Sequence, residues 1–285
     1  GLEPPTEIVD PRSIVHEMRL VKESAELEIM RRAQAITREA HEAAAALAQP
    51  GRIEHELEAV LDYTFRRRGG SGPAYTTIVG GGANAAILHY VTNDQPLREG
   101  DLVLIDAGAE LEGYAADVTR TYPVGGHFEG PGLAVYEVVL SAQEAALTAC
   151  RPGVTLEELH ELALRQLVQG LCELGLLNGS VDELIASEAY RRFYMHRTSH
   201  WLGLDVHDVG SYSKHGKPRR VEPGMVFTIE PGLYISADAE IDDTRFRGIG
   251  VRIEDDILIT EDGYQNLSAD IPKRPEEIAA WVGKG

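Results

Sequence analysis

Little in this 285-residue chain invites covalent side-chain catalysis. There are two cysteines, Cys150 and Cys172, both set in apolar helical patterns. That is too few for a disulfide or thiolate–metal framework, and a reducing cytoplasm is the expected setting. No G-x-S-x-G stretch offers a serine nucleophile. No segment approaches the roughly 18 apolar residues of a membrane span. The opening GLEPPTEIVD has neither the basic region nor the hydrophobic core of a secretory signal. The chain also does not begin with Met, as expected if it is processed or cut from a longer one. Basic residues are scarce, 27 against 46 acidic, for a net charge of −19. That excess argues against nucleic acid or an anionic membrane as a partner. The one basic cluster, Lys214 to Arg220, is short and isolated and reads as a solvated loop.

What is present is an ordinary globular composition, 43% apolar and 26% charged. Residues 1–20, with three prolines in the first eleven, read as an extended lead-in. A helix is expected from Ser24, as N-cap, to about Ala48, carrying Leu27, Met30, Ala33, Ile36 and Ala40 on one face. Pro50-Gly51 stops it. A second helix runs from about Ile53 to Arg68, and GGSGP ends that one. A short strand at Thr76–Val79, a glycine turn and the segment Ile87-Leu88-His89-Tyr90 follow. The second half repeats the plan. A helix over about 132–150 is stopped by Pro152-Gly153, and the next opens at Thr155, with Glu158 completing a capping box. Strands are expected at about 225–230 and 249–259. The fold class is therefore α+β, with two pseudo-symmetric helix–helix–strand halves. Their helices pack on one face of a mainly antiparallel sheet.

The segment Leu102 to Thr121 is hard to explain by structure alone. A buried strand, Leu102 to Ile105, ends in Asp106, and eleven residues later comes Asp117. Folded as a hairpin about Leu111-Glu112, with Gly113 supplying backbone freedom, the two aspartates fall opposite each other. Facing carboxylates repel, at a higher cost near a buried strand, so one is protonated or a cation lies between them. The second half also ends in two acids in comparable strands, Glu230 and Glu254. The four carboxylates are expected to converge on the face away from the helices.

Four acids alone suit Ca²⁺ or Mg²⁺, and a histidine shifts the choice toward Mn²⁺, Co²⁺ or Zn²⁺. His196, His200 and His207 lie within twelve residues beside glycines. Two divalent ions would offset the four carboxylates. Such a pair can lower the pKa of a bound water to about 7 and clamp a carbonyl oxygen, which is hydrolysis without a side-chain nucleophile. Asp242, Asp243, Asp255 and Asp256 read as solvated or structural acids. His16, His41, His55, His127, His160 and His215 read as surface residues.

Five motifs in order resemble the bacterial Xaa-Pro aminopeptidases of the pita-bread metallopeptidases, which also include methionine aminopeptidase and prolidase. They are IDAG, YAADVTRTYPV, HRTSHWLGLDVHDVG, EPGMVFTIEPGLY and GIGVRIEDD. The resemblance runs from about Asp10 to Glu277. It implies Asp106 as ligand of one metal, Asp117 and Glu254 as carboxylates bridging both, and His200 and Glu230 as ligands of the second. Glu230 would also act as general base. His89 would steady reaction intermediates, and His207 would hydrogen-bond the substrate carbonyl. Arg252, with substrate-binding His196 and Tyr234, would surround the pocket for the substrate proline. The plainer readings are His89 as a strand cap, Arg252 as the partner of a nearby acid, and Tyr234 as a core aromatic.

The resemblance further implies two metal ions, Mn²⁺ first and Co²⁺ or Zn²⁺ next, peptide substrates with proline second, and a homo-oligomer in the full-length protein. Members of the family usually carry a further N-terminal domain, which is expected to be missing here. Residues 1–20 would then be the lead-in and 21–285 the catalytic domain. Prolidase, restricted to dipeptides, is the nearest alternative. A binding module that keeps the fold without catalysis is a more distant one, since such modules lose metal ligands and all five are in place here.

Overall fold

The computed structural model describes residues 10–283. Seven α-helices appear among the described residues: α1 (Arg12–Leu20), α2 (Ser24–Ala46), α3 (Glu54–Arg67), α4 (Gly130–Ala149), α5 (Leu156–Glu173), α6 (Val181–Ala186) and α7 (Pro275–Ile278). The strands of the first half are β1 (Gly72–Pro73), β2 (Ile78–Gly81), β3 (Leu102–Asp106), β4 (Ala109–Leu111), β5 (Tyr114–Ala115) and β6 (Thr119–Pro123). Those of the second are β7 (Ser213–Lys214), β8 (Lys217–Pro218), β9 (Val226–Ile229), β10 (Gly232–Ile235), β11 (Ile249–Arg252), β12 (Asp255–Ile259) and β13 (Tyr264–Asn266).

The duplicated plan is present. The hairpin α2–α3 turns at Pro50-Gly51 and α4–α5 at Pro152-Gly153. Every strand pairing is antiparallel, but the expected single sheet is divided. Order β2-β3-β6 serves the first half and β13-β12-β9 the second, with β10-β11, β1-β4-β5 and β7-β8 as smaller pieces. The halves are stitched together where the Glu254 N–H donates to the Thr119 carbonyl at 3.0 Å.

Period-two alternation sorts the two faces of β3. Val103 and Ile105 join the main core with Ala33, Ile36 and Ala40 of α2 and Leu57, Leu61 and Phe65 of α3. Leu104 instead meets Ile78, Tyr90 and Tyr234 on the opposite face, and Asp106, two residues on, shares that face. The helices therefore cover one side and the acid-bearing side is left free. The capping box at α5 is as expected: the Thr155 hydroxyl accepts from the Glu158 N–H, and the Glu158 carboxylate accepts from the Thr155 N–H at 2.8 Å.

Several expectations need correction. The lead-in is not extended throughout, because residues 12–20 form α1, while 1–9 lie outside the described residues. The N-cap of α2 is Glu23, with Glu26 closing the box, and Ser24 is the first helical residue. The hairpin turns at Glu112-Gly113, both with positive φ (51° and 87°), not at Leu111-Glu112. Asp106 consequently faces Thr119. Asp117 is the diagonal neighbour two residues along, which keeps both acids on one face.

His41 is fully buried, hydrogen-bonded to Tyr122 and to the Ala107 carbonyl, and His160 is buried against Thr198. Neither is a surface residue. Asp255 and Asp256 are structural and fully buried, not solvated. Residues 214–220 carry the short hairpin β7–β8 rather than a plain loop, and are exposed except Arg219, which makes two hydrogen bonds to Glu17 of α1.

Candidate metal centre

Asp106 ends β3, Asp117 precedes β6, Glu230 follows β9, and Glu254 sits between β11 and β12. His200 lies on the loop before β7 and is fixed through its backbone against Thr228 of β9. Its N–H donates to the Thr228 hydroxyl at 3.2 Å, and its carbonyl accepts from the Thr228 N–H at 3.0 Å. The side chains meet in a cavity of about 360 Å³, which His89, His196, His207, Arg252 and Tyr75 also line. Ligand atoms of Asp117, His200 and Glu254 all lie within 4.8 Å of one another. Glu230 joins them through His200, with its Oε1 at 3.4 Å from Nε2, while Asp117 Oδ2 stands 3.3 Å from the same nitrogen. Asp106 faces the cavity with both oxygens engaged, Oδ1 by the Tyr75 hydroxyl and Oδ2 by Arg252, each at 2.6 Å.

The electrostatics of this cluster favour a cation. Burial raises Asp117, and Asp106 adds to it. Glu254 is pushed well above the carboxylate range by burial and then by Asp117 and Glu230. Glu230 is raised to about 7, chiefly by burial. Burial pulls the His200 imidazole down, but the Asp117 and Glu230 carboxylates outweigh it and lift it to about 9. The bare site thus holds protons where a cation would replace them. The donor set also suits a metal. His200 Nδ1 lies 3.0 Å from the Trp201 carbonyl, which takes that N–H and leaves Nε2 aimed at the carboxylates. Thr119 donates to Glu254 at 2.6 Å and orients that carboxylate.

A second group lines one wall. Arg252 NH1 donates to the Tyr234 hydroxyl at 2.9 Å, and that hydroxyl lies 2.8 Å from His196 Nε2. Burial, reinforced by Arg252, depresses His196 to about 3, so its ring is neutral. His89 is exposed at the cavity mouth. His207 is exposed too, with its ring edge-on to His200 at 4.5 Å between centroids. Burial and then His200 hold His207 below the usual imidazole value. Beyond His200, His207 and Glu230 the cavity continues into a second one of about 490 Å³, walled by Trp201, Tyr212, Thr198 and Arg197.

Every residue singled out from the sequence therefore lies in or beside one cavity. Sequence reasoning missed the residues that orient them: Tyr75 on Asp106, Thr119 on Glu254, Thr228 beside Glu230, and Asp256. Asp256 Oδ2 accepts from the Asp117 N–H at 3.0 Å and from Gln34. Only Asp256 carried a signal, as a second acid directly after the Glu254 motif.

Facing carboxylates with a histidine nitrogen among them, on a duplicated α+β scaffold, define a metallohydrolase-type centre. Residues 28–261 match the profile of metallopeptidase family M24, and the chain belongs to that family. It is 51% identical over 282 residues to the Xaa-Pro aminopeptidase of Escherichia coli (strain K12), an alignment covering 99% of this chain and 64% of that protein. The structure of Pseudomonas aeruginosa aminopeptidase PepP superposes with a TM-score of 0.96 at 48% identity, over 98% of this chain and 63% of that one. A zinc-substituted E. coli aminopeptidase P in complex with product gives a TM-score of 0.94 at 51% identity, over 98% and 63%. The pita-bread fold expected from the motifs is thus established. The chain spans less than two thirds of the length of these relatives.

Proposed function

We propose that the chain is the catalytic part of a two-metal aminopeptidase that releases the N-terminal residue from peptides with proline second. The observation that carries this reading is the convergence of Asp117, His200 and Glu254 within 4.8 Å, beside Glu230 and Asp106. Asp106, Asp117, His200, Glu230 and Glu254 would hold the two ions, with Asp117 and Glu254 as the shared carboxylates, Asp106 as a ligand of one ion, and His200 and Glu230 as ligands of the other. When bound, the ions supply Lewis acidity and lower the pKa of a water. Mn²⁺ is the proposed ion. A cytoplasmic setting rests on the scarcity of cysteine; a homo-oligomeric full-length protein, with residues 21–285 as its catalytic unit, rests on the family resemblance.

The chain's own groups then divide the work. Glu230, half-buried at the site, accepts a proton from the attacking water. As the carbonyl–nitrogen bond breaks, it delivers that proton to the proline nitrogen. His207 donates a hydrogen bond to the scissile carbonyl oxygen, where charge develops. His89, at the mouth, contacts substrate and steadies the intermediate. Arg252 and Tyr234 hold neutral His196 in place, and the three shape the wall against which the proline ring rests.

The test is a side-by-side assay of the purified, chelator-stripped protein. Re-adding Mn²⁺ should restore cleavage of an Xaa-Pro-Yaa tripeptide with release of Xaa. Cleavage of the Xaa-Pro dipeptide alone would identify a prolidase instead. No Mn²⁺-dependent hydrolysis of either would identify a non-catalytic module.

A further inference from the structure

One cluster of buried charge lies outside both cavities. Lys22 and Asp208, each with 1% of its side chain exposed, pair at 3.2 Å. Arg19 of α1 donates to the other Asp208 oxygen and to Asp205 Oδ2, the latter at 2.7 Å. Asp205 and Asp208 flank His207 in the chain. The His207 side chain has no hydrogen-bond partner among the described residues, so its backbone sets its position.

That backbone is held tightly. The Gly203 carbonyl accepts from the Ala115 N–H at 2.8 Å, which registers the loop against the hairpin carrying Asp117. A Cβ at Gly203 would fall 2.2 Å from Asp208 Oδ2 and 2.9 Å from Lys22 Cε, so the loop passes directly against the ion pair. Farther along, the two bonds from Arg219 to Glu17 tie the end of the same segment to α1. The Arg219 N–H donates to the Tyr212 carbonyl at 2.9 Å, and Tyr212 walls the second cavity. One short helix therefore fastens segment 203–219 at both ends. A buried ion pair contributes little net stability over an apolar substitute, but it does select one geometry.

We propose that Arg19 and Lys22 are positioning residues for His207. Their contacts with Asp205 and Asp208 fix loop 203–209 so that the His207 ring stands over His200 at the scissile carbonyl. The inference rests on the proposed role of His207 as hydrogen-bond donor to the scissile carbonyl oxygen as charge develops there.

A double-mutant cycle tests it, using R19Q, H207A and the double variant. Rates would be measured on the Xaa-Pro-Yaa tripeptide with Mn²⁺, together with metal content. R19Q is expected to lower kcat by about 10- to 100-fold, with KM and metal content little changed. R19K should recover part of that loss. In the H207A background R19Q should cost less than about two-fold, because the group it positions is gone. An equal cost in both backgrounds, or wild-type kcat in R19Q, would overturn the proposal. If R19Q does not fold, D205N removes only the outer contact, since Asp205 is 62% exposed, and the same cycle applies. A crystal structure of the R19Q or D205N variant reads the clamp without activity. The His207 ring is expected to leave its 4.5 Å contact with His200, and an unmoved loop would refute the clamp. A wild-type protein that cleaves no tripeptide would instead count against the proposed function.

Discussion

Loading the metal-free chain with Mn²⁺ at pH 7 is expected to release about two protons per chain, because ligands must be deprotonated to bind. The number follows from the site. His200 is lifted to about 9 by Asp117 and Glu230 against the pull of burial, so at pH 7 it carries a proton that a metal must displace. Removing it there costs about 3 kcal/mol. Burial, then Asp117 and Glu230, also raise Glu254, so it adds to the release. Glu230, raised to about 7 mainly by burial, is half protonated and adds a fraction. The sign is fixed: protons leave as metal binds, so apparent affinity must rise with pH, by about two log units per unit below pH 7. Calorimetric titration in buffers of different ionisation enthalpy reads the proton count directly from the slope. A binding enthalpy that does not depend on the buffer would refute the electrostatic account of the site.

Three further outcomes are expected. Replacing Asp117 with Ala removes the proposed bridging ligand, so elemental analysis should show metal content depleted at both proposed positions; full retention would reassign Asp117. Replacing His89 with Ala should leave metal content intact and slow turnover by about 100-fold, and an unchanged kcat would return His89 to a structural role. His41, depressed to about 4 by burial, gives a stability effect. Its neutral ring contributes fully above about pH 6.5, and the contribution is lost as pH falls toward 4, because the unfolded chain takes the proton first. The loss amounts to about 3 kcal/mol. Denaturant titrations of the metal-free protein across that window should therefore show a flatter pH dependence for H41Q, and equal slopes would contradict the burial argument.

The parts of the fold that local chemistry specifies were readable in the sequence. Pro50-Gly51 and Pro152-Gly153 bracket the helix pairs, and Thr155 with Glu158 marks the start of α5. The four acids fall at or beside strand ends, where alternation puts them on one face, while His200 was marked by its histidine-bearing segment. What local pattern cannot carry is tertiary. Three prolines near the start obscured α1, whose reason to exist is its contacts with Asp205, Asp208 and Arg219 far along the chain. The hairpin register turned on which residues tolerate positive φ, and Glu112 does so here. Whether Asp255 is solvated or structural is open until Arg120 and Lys273 are seen to neutralise it. They overcome its burial and hold its carboxyl below the ordinary range. His41 and His160 look polar and exposed because nothing nearby in sequence announces Tyr122 or Thr198 as partners.

The central claim is a pair of ions bridged by carboxylates from both halves of the chain. Anomalous scattering from a crystal of the Mn²⁺-loaded protein, with a proline-containing peptide or product bound, tests it most directly. The account predicts two manganese peaks in the cavity, with Asp117 and Glu254 touching both, Asp106 on one, and His200 and Glu230 on the other. A single peak, or two ions without a shared carboxylate, would contradict it.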